Sequence, residues 1–135
     1  MSKQRLVDTN LIVRYLVQDH KKHARAAAEL FEACDRGEIV IVVLPVVLAE
    51  CVFVLESFYK QPRADIASVL GRLLSSPGVE IGEVTVHLDA LNRYSRTKAH
   101  FVDCLIAATA VAKNVPVFTF DQDFRKFSDV SVEPE

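Results

Sequence analysis

Leu6-Val7-Asp8-Thr9-Asn10, near the start of the chain, decides how the rest is read. Two apolar residues run into a carboxylate, a hydroxyl and an amide, and Leu11-Ile12-Val13 then resumes the apolar pattern. A short buried strand that stops abruptly in polar side chains has this signature. In a parallel sheet the carboxyl ends of the strands border a solvent-open crevice where ligands collect. Asp8 is then expected at the edge of the core, facing that crevice. The plainer alternative is that Asp8 and Asn10 only turn the chain and cap the helix that follows. The choice turns on whether other isolated acids stand in equally apolar settings.

Outward from that stretch, strands and helices alternate. Asn10 is placed to cap a short helix to about Gln18, and Asp19-His20 breaks it. An Ala- and Glu-rich helix follows from Lys21 to Arg36, closed by Gly37. His20 and His23 are three apart, but no Cys or second His pair lies near them, so a solvated helix start is the better reading than a metal site. Ile39 to Val43 is continuous and wholly β-branched, the mark of a strand covered on both faces. Pro45 suits a first helical turn, and Val46 to Phe58 makes an almost wholly apolar helix. Within it Glu50 is the one charge before Glu56, which is expected in solvent near the helix end. A buried charge there needs a partner or a polar cavity. An amphipathic helix (Ala64 to Leu74), a brief strand (Val79 to Ile81) and a helix from Val86 to Arg96 come next. Phe101 to Ala110 is a small-residue helix with Asp103 at its start, where capping alone is a sufficient explanation. Val115 to Phe120 enters a last strand that stops at Asp121-Gln122-Asp123, as the opening stretch stops at Asp8. Val130 to Val132 can add an edge strand.

Composition sets the outer bounds. The chain has 135 residues, 50% hydrophobic and 25% charged, as expected for one globular domain over residues 1–135. A net charge of −2 excludes a nucleic-acid binder that works by bulk basicity, though not a local basic patch. Cys34, Cys51 and Cys104 form no CxxC pair, and no secretory signal precedes them, which suggests reduced, buried thiols in a cytoplasm. The longest apolar run, Ile39 to Leu55, is broken by Pro45 and Glu50. It falls short of the roughly 20 residues that a membrane span needs.

Asp8, Glu50, Asp103 and Asp121 share one property. Each is an acid embedded in or ending an apolar element, with no obvious cation beside it. Alternating strands and helices can bring all four to one crevice. Carboxylates within a few ångströms of each other repel and stay ionised together only if a cation neutralises them. Oxygen-only ligation suits Mg2+ or Mn2+ and argues against zinc. Such a site activates water and offsets charge during attack on a phosphodiester. Thr9, Asn10 and Thr119 are neutral groups placed to orient a phosphate or a water.

The order of motifs, DTN at 8–10, an acid at 50, DCLIA at 103–107 and TFDQDF at 119–124, resembles the PIN domain, and most of all the VapC-type toxin nucleases. The resemblance covers the chain from Asp8 to Phe124. It implies a three-layer α/β/α sandwich on a central parallel sheet and Mg2+- or Mn2+-dependent cleavage of RNA. It also implies a homodimer, and inhibition by a cognate antitoxin protein. Carried over by position, Asp8, Glu50, Asp103 and Asp121 are the acidic set, with Asn10 and Thr119 in support and Asp123 ranked second to Asp121. Glu50 either joins in metal binding or acts as base. Arg14, Arg96, Lys98, Arg125 and Lys126 are candidates for phosphate contact.

Two other readings compete. A phosphatase of the haloacid dehalogenase type also opens with an aspartate after its first strand, but needs an acid two residues on, where this chain has Asn10. A PIN-like module that binds RNA or protein without cleaving is the other, and the intact acids weigh against it.

Overall fold

The computed structural model describes residues 3–135. Strands β1 (Gln4–Leu6), β2 (Val40–Val42) and β3 (Val79–Glu80) pair in parallel in that order, with Leu6 opposite Val42 and Ile41 opposite Val79. Strands β4 (Val117–Phe118) and β5 (Val132–Glu133) form a second parallel pair. The regular ladder is therefore shorter than the apolar runs suggest, and it is divided into three strands and two. Apolar runs mark what is buried, whereas ladder pairing stops where a neighbour is lost. Pro116, with no N–H to give, stands directly before β4.

Six α-helices among the described residues link and flank these strands: α1 (Thr9–Val17), α2 (Lys21–Asp35), α3 (Pro45–Ser57), α4 (Arg63–Leu74), α5 (Val84–Arg96) and α6 (Phe101–Lys113). A 3-10 helix (Gln122–Lys126) lies between β4 and β5. The result is an α/β sandwich with parallel pairing. Its core is closed by Ile41 of β2, Leu48, Cys51 and Leu55 of α3, Ile66 and Leu70 of α4, Tyr94 of α5 and Cys104 of α6. All three thiols are free and buried. No helix of the described residues is long and apolar enough to cross a membrane.

Most helix boundaries follow from local chemistry. Pro45 occupies the first turn of α3, where a missing N–H costs nothing. Gly37, at φ +77°, lets the chain leave α2 in a conformation that side chains resist. His20 caps α2 by accepting the His23 N–H at 3.2 Å, and the two exposed imidazoles stack. The cap of α1 is a correction: Asp8, not Asn10, holds that place. Asp8 is still extended (φ −100°, ψ 175°), so its carboxylate reaches the Leu11 N–H at 3.0 Å. Asn10 is already helical.

Candidate active site

The site grows from the junction of β1 and α1. Thr9, the first residue of α1, is only 8% exposed, and its hydroxyl donates to Glu50 Oε1 on α3. That bond joins the end of the first strand to a helix that starts at the end of the second. On α3 the residues Leu48, Cys51, Val52 and Leu55 face the core, while Val46, Glu50 and Phe53, spaced by four and three, are exposed. Glu50 is therefore not a buried charge, as the apolar sequence around it suggested. It stands on the open face of a helix whose other face makes the core.

Asp8 and Glu50 both act on one buried group, Cys51. The Cys51 thiol has no exposure, and its pKa is pushed up to about 12. Burial is the larger cause, followed by the charges of Glu50 and then Asp8.

Asp103 is half-buried in the first turn of α6. It is not the helix cap that its position suggested: the chain enters α6 at His100, with no side-chain capping bond. Its charge is among those felt by the neighbouring Cys104 thiol, whose pKa is raised chiefly by burial. Asp121 is exposed and does cap, accepting the Asp123 N–H at 2.9 Å at the start of the 3-10 helix. Its own N–H donates to the Thr119 hydroxyl at 3.0 Å. Asp123 lies 3.6 Å from Lys126 in an ion pair of two well-exposed side chains, a contact of little energetic weight.

The structure thus brings the predicted residues together in two groups, Asp8-Thr9-Glu50 and Thr119-Asp121-Asp123, with Asp103 hydrogen-bonded to neither among the described residues. Nor do three or more His, Cys, Asp or Glu side chains among the described residues converge as a finished metal cage. The donor chemistry nevertheless suits a hard divalent cation. Asp8, Glu50, Asp103 and Asp121 offer oxygen alone, and none is held by a Lys or Arg ion pair among the described residues.

The candidate phosphate-binding cations divide in the same way. Arg14 is committed to Asp19 at 3.1 Å, and Asp19 also accepts the Tyr59 hydroxyl at 2.8 Å. Arg125 donates to Gln122 and to the Pro134 carbonyl. Arg96 and Lys98 are exposed and outside any ion pair among the described residues, and Lys126 is the exposed partner of Asp123.

Sequence reasoning missed Arg63 altogether. Its Nε donates to the Tyr94 carbonyl at 3.0 Å, its Nη2 to the Ala99 carbonyl, and its Nη1 lies 3.5 Å from Glu56. The guanidinium sits 3.7 Å above the Tyr94 ring, and the Tyr94 hydroxyl donates to Glu56. Glu56, expected in solvent, is therefore half-buried and fully engaged. Nothing in the sequence marks this cluster, because two of the acceptors are backbone carbonyls more than thirty residues away.

The model of the PIN domain family matches residues 5–130, and the chain belongs to that family. Within it, the chain is 27% identical over 131 residues to the VapC ribonuclease of Aquifex aeolicus (strain VF5), an alignment that covers 96% of each protein.

Proposed function

We propose that this protein is a Mg2+- or Mn2+-dependent endoribonuclease of the VapC type, the toxin of a toxin–antitoxin pair. The observation that carries the reading is the hydrogen bond from Thr9 to Glu50, which ties two acid-bearing elements together at the strand end where such a site belongs. Membership of the PIN-domain family and the similarity to a VapC ribonuclease support it.

Asp8, Asp103 and Asp121 would hold the cation, with Glu50 beside them. A bound Mg2+ or Mn2+ supplies charge neutralisation and lowers the pKa of a water. The chain's own contribution is positional. Thr9 fixes one oxygen of Glu50, and the other makes no hydrogen bond among the described residues, so it is open to a water. In hydrolysis Glu50 takes one proton of that water as its oxygen bonds to phosphorus, and the bond from phosphorus to the ribose oxygen breaks, that oxygen leaving as a hydroxyl with a proton from solvent. Asn10 and Thr119 orient the phosphate, and Arg96, Lys98 and Lys126 supply positive charge for the RNA backbone, with Arg14 and Arg125 in lesser roles. The exposed Val46, Phe53 and Phe58 on and beside α3 support a homodimer. An antitoxin inhibits by placing an Arg or Lys among the acids.

The deciding experiment is cleavage of a labelled RNA by wild type, Asp8→Asn and Glu50→Gln, with Mg2+ or Mn2+ and with EDTA. Asn caps a helix about as well as Asp, so Asp8→Asn keeps α1 intact. Both variants should lose activity by two orders of magnitude or more, on the order of what general base catalysis contributes, and EDTA should silence the wild type. Wild-type cleavage by Asp8→Asn, or by the wild type in EDTA, overturns the proposal.

A further inference from the structure

Two exposed aromatic side chains, Phe118 and Phe120, lead into Asp121. Phe120 is 85% exposed and Phe118 67%, while Val117, the other residue of β4, is 8% exposed and faces the core. The two rings meet edge to face, with centroids 5.9 Å apart and planes at 84°. Packing gives no account of them, since neither contributes to the core.

We propose that Phe118 and Phe120 form a stacking platform for unpaired bases of the RNA strand as it passes the acids. This rests on the ribonuclease reading and extends it to the form of RNA bound, a single-stranded segment. Three observations favour a base over a protein partner. The first is place: Phe120 is the residue next to Asp121, so their Cα atoms are about 3.8 Å apart, and a strand cut at that acid passes within reach of the exposed ring. The second is rigidity. The Thr119 N–H donates to the Glu133 carbonyl at 2.8 Å, the Asp121 N–H to Thr119 Oγ1 at 3.0 Å, and the Asp123 N–H to Asp121 Oδ1 at 2.9 Å. Aromatic groups on a braced turn lose little entropy on binding. The third is charge. Arg125 and Lys126 follow within one turn and offset Asp121 and Asp123, so an anionic backbone meets no net repulsion even before a cation binds. Every base offers a π-face to such rings, but only an unpaired base can leave its own stack to do so.

The chain contains no tryptophan, so Phe120→Trp creates a single fluorescent reporter at the platform. The test titrates this variant in EDTA with a single-stranded oligoribonucleotide of mixed sequence, then with the same strand in a duplex. Phe118→Leu and Phe120→Leu are followed in parallel by anisotropy of the labelled strand. Stacking predicts quenching by the single strand and little by the duplex. Each Leu variant should bind about 5- to 150-fold more weakly, whereas Phe120→Tyr should bind like wild type. With Mg2+ the Leu variants should raise KM and leave kcat nearly unchanged, a split that a damaged fold does not produce. The idea is overturned if the Leu variants bind and cleave like wild type, if the reporter stays unquenched while anisotropy records binding, or if wild type binds no single strand. It is equally overturned if the Leu variants lose self-association or a protein partner but keep their RNA affinity. Failure of the ribonuclease reading looks different: there Asp8→Asn keeps its cleavage.

Discussion

Asp103 stands in the first turn of α6 and not at its cap, which separates its structural and chemical roles. Replacing it with Asn breaks no capping bond. It removes only a favourable charge near the helix N-terminus, a loss of about 0.3–1 kcal/mol. Asp103→Asn should therefore unfold nearly like wild type in EDTA. If Asp103 holds the cation, Mg2+ should stabilise the variant less than the wild type, and RNA cleavage should fall by orders of magnitude. Thermal unfolding with and without Mg2+, beside a cleavage assay, reads both. Thr9→Val asks a different question. The shape is kept and the hydroxyl that orients Glu50 is lost, at a cost of about 1 kcal/mol or a little more. Urea unfolding should record that cost. Cleavage should fall mainly in kcat, and Thr9→Ser should restore it. Thr9 and Asp8 were legible from the sequence as a strand end. The Thr9 to Glu50 bond was not, because the two residues are 41 apart and meet only when the sheet forms.

At the scale of elements, Arg63 does what no single helix can do for itself. From the first turn of α4 it binds a carbonyl in the last turns of α5, a carbonyl in the α5–α6 connection, and Glu56 of α3. The helix that carries Glu50 is thereby joined to α5 and to the connection that leads into α6. Arg63→Met removes the donors and leaves two carbonyls without them, so a loss of about 2–3 kcal/mol is expected. Arg63→Lys, with one compact charge in place of a planar fork, should recover only part of it. Denaturant midpoints at constant slope will distinguish these outcomes from a change in the unfolded state. The division of apolar surface between α3 and α4 also belongs to this scale. On α4, Ile66, Leu70, Leu73 and Leu74 are all buried, so the open apolar surface belongs to α3, with Phe58 at its end.

For the molecule as a whole, one buried cation adds to the β4–β5 pairing and to the buried Phe124 and Phe127 in fastening the C-terminal segment. Arg93 of α5, 7% exposed, grips both carboxylate oxygens of Asp129 and reaches Asp89 at 3.1 Å. The hydrogen bonds from Arg93 hold the Asp129 carboxyl below its ordinary value of 3.8. A carboxyl depressed in the folded state adds stability above its unfolded pKa and loses it as the pH falls through the folded one. The contribution of Asp129 should therefore be complete at neutral pH and fade from about pH 4 downward. Asp129→Asn should be less stable than wild type near pH 7, and the gap between them should narrow as the pH falls below 4. Unfolding midpoints taken from pH 7 to pH 3 will measure that convergence, and a constant gap would show that Asp129 acts by shape and not by charge.

The sequence by itself determined the alternation of strands and helices, the burial of all three thiols, and the acids that end or interrupt the apolar elements. These are properties of neighbours along the chain: apolar periodicity, Pro at a helix start, Gly at a helix end, and a carboxylate where a strand stops. Tertiary structure decided how those acids are used. It put Glu50 in the open and bound it to Thr9, engaged Glu56 with Tyr94 and Arg63, and tied Arg14 to Asp19 and not to a free surface. It also divided the parallel pairing into three strands and two. The Thr9–Glu50 and Tyr94–Glu56 bonds join residues about forty places apart, and even the nearer pairs, Arg14–Asp19 and Arg63–Glu56, form across the end of a helix, so each partner is set by how the helices pack. Local pattern fixes whether a side chain is polar or apolar, but the partner of a polar group is chosen only by the completed fold.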